Sequence, residues 1–63
     1  MELHAKLSLI QALKQRPELC GQLLNKKTVN AAIEELSSLS NLPANFIELN
    51  FNQVKLLVFA QSL

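Results

Sequence analysis

The side chains able to do acid, base or nucleophilic chemistry are few: His4, Cys20 and five glutamates, with no Asp and no Tyr. Catalysis needs such groups brought within hydrogen-bond reach of one another. Here the spacing keeps them apart. Glu2 and His4 stand two residues from each other, which on a helix turns them onto different faces, and a histidine with unperturbed chemistry marks no site by itself. Cys20 lies among Leu19, Leu23 and Leu24 and reads as a small apolar core residue, the inert kind of thiol. A metal centre needs more His or Cys than the chain holds, and no glycine-rich loop exists to cradle phosphate. Neither catalysis, a cofactor nor a metal is expected, and no small-molecule substrate is implied.

The basic residues allow a different chemistry. From Leu19 to Leu36 a short helix is followed by Lys26, Lys27, Thr28 and Val29, which open an amphipathic helix. This segment resembles the helix-turn-helix of DNA-binding proteins. The resemblance implies that Cys20 fills the small-residue position of the first helix, that Val29, Ile33 and Leu36 are core, and that Thr28, Asn30 and Glu34 face the groove. In a dimer, Lys26 and Lys27 would then meet phosphate and Asn30 would read a base edge. Two departures weigh against it. Leu23 and Leu24 stand where the family usually begins its turn with glycine, and the turn is one residue short. Charge opposes it as well: Glu34 and Glu35 lie on the third helix with no Lys or Arg beyond its first turn, whereas phosphate contacts supply most of the affinity. Only Lys14, Arg16, Lys26 and Lys27 can cluster, and a solvated turn is the simpler reading of the lysine pair. The net charge of +1 creates no strong field toward any polyanion.

These residues ride on segments that read as helices. Glu2 to Gln15 carries Leu3, Leu7, Ile10 and Leu13 at helical spacing, and Ala5, Leu9 and Ala12 widen the stripe enough to touch two other elements. Pro17 suits the first position of a second helix that ends near Leu24. Gly21 inside it implies either an irregular turn or a neighbouring backbone that comes close. Asn25 is the expected cap of a third helix, with Leu24 and Val29 as a hydrophobic staple. In that helix Val29, Ala32, Ile33, Leu36 and Leu39 share one arc, the pattern of a helix packed on one side, and it ends near Ser40. There Asn41 takes the left-handed conformation, Pro43 blocks continuation and Leu42 folds back onto Leu36. For the last segment, Asn45 with Glu48 and Asn50 with Gln53 are both candidate capping boxes, the second reinforced by Leu49 and Val54. A helix over about 51–61 is favoured. The strict alternation of residues 47–52 leaves a strand as the competing reading between 46 and 59.

The final helix has its apolar residues on every side: at 100° per residue Phe51, Val54, Leu56, Leu57, Val58, Phe59 and Leu63 surround its axis. A chain of 63 residues has little to cover it with. The expected architecture is a single all-α domain over residues 1–63, a small bundle of three to four short helices, dimeric or partner-bound. The expected function is a non-enzymatic interaction module or small regulator presenting an apolar helical surface, with Phe51, Leu57, Phe59 and Leu63 as anchors to another protein or to a second copy. The alternative is a dimeric helix-turn-helix transcriptional regulator acting through Lys26, Lys27, Thr28 and Asn30. A single cysteine, no secretory signal and a longest apolar run of five residues, Leu56 to Ala60, place the chain in the cytoplasm and away from membranes. Starting at Met1 favours a natural N-terminus, whereas Ser62 and Leu63, with no recognisable stop signal, leave the other end open.

Overall fold

Glu2 sits in extended backbone just ahead of the first helix and accepts a hydrogen bond from the His4 amide at 2.9 Å. It is the cap of α1 (Leu3–Gln15) in the computed structural model, which describes residues 1–62. A carboxylate suits this position because it meets free amides and the positive end of the helix dipole. α1 buries Ala5, Leu9, Ala12 and Leu13 and stops at Arg16, whose α conformation is disfavoured by the following proline. Leu3 and Leu7 stay exposed at 64% and 46%, so the wide stripe of α1 is covered only in part.

Pro17 leads into α2 (Glu18–Leu23) with helical backbone angles, as expected. Gly21 differs from expectation. It lies in regular, exposed helix, and a Cβ added there would meet nothing within 4 Å. The next turn is built by Asn25, whose Oδ1 accepts from the Lys27 amide and whose carbonyl accepts from Val29, both at 2.9 Å. Asn25 thus caps a preliminary turn, and regular α3 (Val29–Ser40) begins later than the cap position alone suggests. α3 ends as the sequence foretells: Asn41 adopts φ 59, and Leu42 returns to pack on the core cluster that holds Leu36. The Ser37 hydroxyl fastens this return by donating to the Leu42 carbonyl.

α4 (Ala44–Leu49) stands in place of the competing strand, and α5 (Phe51–Ser62) is the final helix expected over about 51–61, giving five helices where three to four were expected and no strand among the described residues. The Pro43 carbonyl nucleates α4 by accepting from the Phe46 and Ile47 amides, at 3.1 and 3.3 Å. Ile47 is thereby carried into the core, completely buried. Asn45 lies inside α4 and caps nothing. Asn50 turns backward, because its amide and its side-chain nitrogen both donate to the Phe46 carbonyl, at 3.0 and 2.9 Å. It closes α4 instead of opening α5 with its side chain. Leu49 is 83% exposed while Val54 is fully buried, so that expected staple does not form.

Leu9, Leu13, Leu19, Leu23, Leu36, Ile47, Val54 and Val58 are fully buried, drawing on all five helices. α3 packs on α1, α2 and α4, and α5 packs on the same three, yet no Cα of α3 comes within 8 Å of one in α5. The radius of gyration is 10.1 Å, close to the value of about 10.6 Å for a folded chain of this length. No described helix is long and apolar enough to cross a membrane.

Candidate functional site

The separation of α3 from α5 leaves an open groove of about 330 Å³ between the α2–α3 turn and α5. One wall is Leu24, Asn25, Lys26 and Val29, the other is Phe51, Lys55 and Phe59, and Leu23 also lines it. The second wall follows from helical spacing: residues 51, 55 and 59 lie four apart and so stack along one side of α5. Leu23 is 2% exposed, while Leu24 and Phe59 are 43% and 53% exposed. The groove is therefore apolar within and open above. Along the outward side of α5 the apolar surface continues with exposed Ala60 and with Leu56, which is 67% exposed. The Lys55 ammonium lies 5.4 Å from the centre of the Phe51 ring, a cation–π distance that holds it at the rim.

The charges of the groove have one sign. Lys26 and Lys55 are its charged lining residues, no carboxylate lines it, and neither lysine is in an ion pair among the described residues. Ion pairing is concentrated elsewhere. The Arg16 guanidinium reaches Glu18 through Nε and Glu35 through Nη2, the latter at 2.9 Å, tying the α1–α2 junction to α3. The hydrogen bond from Arg16 holds the Glu18 carboxyl below its usual range, and the same pairing raises Arg16. Glu2 and His4 come together after all, with Nδ1 3.2 Å from Oε1. Glu2 precedes the helix, so the rule separating i and i+2 side chains does not apply to it. Both remain in solvent, with no third group to complete a site. Among the described residues no group of three or more His, Cys, Asp or Glu side chains could hold a metal ion. A second hollow, lined by Leu13, Lys14, Pro17, Cys20, Gln61 and Ser62, places the half-buried Cys20 against the end of α5.

No family model, curated protein or solved structure matches this chain. Of the four anchors expected from the sequence, Phe51 is half-buried and Phe59 exposed, and the groove brings them together. Leu57 is 8% exposed and belongs to the core cluster, so its side chain is turned away from any partner. Leu63 lies outside the described residues. Sequence reasoning missed Leu24, Val29, Lys55 and Leu56 as part of this surface. Leu24 and Val29 carried a signal as a staple pair, and they do lie together, but only the tertiary fold sets Phe51 and Phe59 opposite them.

The residues of the DNA reading are dispersed in role. Lys26, Lys27 and Asn30 are exposed at the α2–α3 turn and the start of α3. The Thr28 hydroxyl instead donates to the Gln22 carbonyl at 2.8 Å and is occupied in closing the turn. Arg16 is engaged by Glu18 and Glu35, and both Glu34 and Glu35 are exposed on α3. Of the four cations able to cluster, one is thus neutralised within the fold.

Proposed function

We propose that this chain is a non-enzymatic protein-interaction module of the cytoplasm that receives apolar side chains of a partner in the groove between the α2–α3 turn and α5. The observation that carries the reading is the exposure of Leu24, Leu56 and Phe59, at 43%, 67% and 53%, in and beside a preformed apolar groove. Contiguous exposed apolar surface marks interaction sites, and a trough walled by a helix fits the seating of an amphipathic partner helix. Phe51 and Phe59 are the anchors, because large aromatic side chains in a desolvating pocket carry most interface energy. A dimeric helix-turn-helix regulator has less support, since it needs Lys26, Lys27, Thr28 and Asn30 to act together while Thr28 is already hydrogen-bonded inward.

Helix-forming peptides selected for binding to the wild-type chain test this reading. They should lose about tenfold or more in affinity on Phe59→Glu, whose stability stays within about 0.5 kcal/mol of wild type because the position is exposed. Peptides that bind Phe59→Glu as well as wild type would place the interaction elsewhere. Tight binding of mixed-sequence duplex DNA at about 50 mM salt, unchanged by Phe59→Glu, would favour the helix-turn-helix reading.

A further inference from the structure

We infer that the partner seated in this groove is acidic: an amphipathic helix whose large apolar side chains enter between Leu24 and Phe59 and whose Asp or Glu side chains meet Lys26 and Lys55. The inference rests on the groove being the binding site proposed above, and charge complementarity carries it further. Lys26 comes from the turn on one wall and Lys55 from α5 on the other, so positive charge flanks the apolar trough on both sides. Neither lysine has a carboxylate partner among the described residues.

A second copy of this chain is the poorer occupant. α5 contains no acidic residue, so a two-fold pairing of its outward faces would bring two Lys55 side chains to one seam with no carboxylate on either helix to neutralise them. Like charges juxtaposed at an interface work against association, whereas opposite ones steer it and fix its register. The groove therefore selects a segment of opposite charge with apolar residues at helical spacing.

The test uses the whole chain and a phage-displayed library of random helix-forming peptides, selected on wild type and counter-selected on Phe59→Glu. The enriched sequences should combine Leu, Ile or Phe at helical spacing with Asp or Glu on both flanks. Their affinity should fall about tenfold on the Lys26→Glu/Lys55→Glu double variant, as expected for losing two rim charges and adding repulsion. Selection on that variant should enrich basic peptides instead. Both positions are exposed, and a Lys26→Gln/Lys55→Gln variant supplies the same comparison should the charge reversal impair folding. Enrichment of neutral or basic peptides on wild type, or acidic peptides indifferent to the lysines, would overturn the acidic partner while leaving the groove reading intact. Failure to enrich any peptide that depends on Phe59 would overturn both. A dimer by light scattering that Phe59→Glu dissociates would put a second copy in the groove and overturn the acidic partner alone.

Discussion

α3 and α5 hold equivalent places in the molecule and present different surfaces. Each has twelve residues, and each packs on α1, α2 and α4 without approaching the other. α3 sorts its side chains: Ala32, Ile33 and Leu36 are buried, Asn30, Glu34, Glu35 and Ser38 face water, and Leu39 at 37% is the large apolar side chain it leaves exposed. α5 also buries three apolar residues, Val54, Leu57 and Val58, but it leaves Leu56 and Phe59 exposed at 67% and 53%, with Lys55 as its single charge. The neighbours of the two helices are the same, so the difference comes from their sequences. An outward face like that of α3 is complete in water. One like that of α5 retains apolar area that a partner can desolvate.

The largest effect that could break this comparison is in the two leucines that represent it. Leu36→Ala in α3 removes a fully buried side chain and should destabilise the fold by about 2–5 kcal/mol, enough to unfold much of a chain this small. Leu56→Ala in α5 removes a side chain of the same size from solvent and should change stability by less than about 0.5 kcal/mol. Urea unfolding of both variants measures the contrast directly. A loss above about 1.5 kcal/mol at Leu56 would make the outward face of α5 part of the fold, and the case for a partner there would fail.

A smaller effect, of opposite sign, concerns the helix that touches both. α2 packs on α3 and on α5 and supplies Leu23 to the groove. Gly21 in it has helical geometry and open space around its missing Cβ, so Gly21→Ala should stabilise the chain by about 0.5–1 kcal/mol, as glycine-to-alanine changes in helix interiors do. The melting temperature should rise while affinity for selected peptides stays constant. A rise accompanied by weaker binding would show that the groove needs α2 to give way, and would sharpen the account of its wall from rigid to yielding.

The same contrast decides what could be read in advance. α3 was legible because its signals are local: the period of its apolar residues, Asn41 in the left-handed conformation, Pro43 behind it and Leu42 returning to the core all depend on a few adjacent residues. The stretch from Pro43 to Phe51 was not, because its cues conflict. Residues 47–52 alternate as a strand would, and Asn50 has a side chain able to serve either the helix behind it or the one ahead. Tertiary burial of Ile47 settles that choice, and no local pattern contains it. For α5 the excess of apolar side chains was visible, but a ring of them does not say which half faces inward. Phe59 and Leu57 therefore looked alike as anchors until the packing of α1, α2 and α4 against Val54, Leu57 and Val58 separated them.

The smallest expected effect lies in charge. On the side of α3, Arg16 gathers Glu18 and Glu35, whereas Lys55 of α5 has no ion-pair partner among the described residues. The Glu18 carboxyl is held below its ordinary value of 4.5 chiefly by the hydrogen bond from Arg16, so the folded state favours its ionised form. Its contribution is fully present above the unfolded carboxylate range and is lost as pH falls from there through the lowered folded value, with Arg16 cationic throughout. Melting temperatures should therefore fall as the solution is taken below about pH 5, slightly, because the pair is solvent-exposed. Glu18→Gln should flatten part of that decline, and Lys55→Gln should leave it unchanged. An identical acid limb in wild type and Glu18→Gln would mean that the Arg16 bridge adds nothing to the α3 side, leaving apolar burial alone to distinguish it from the open face of α5.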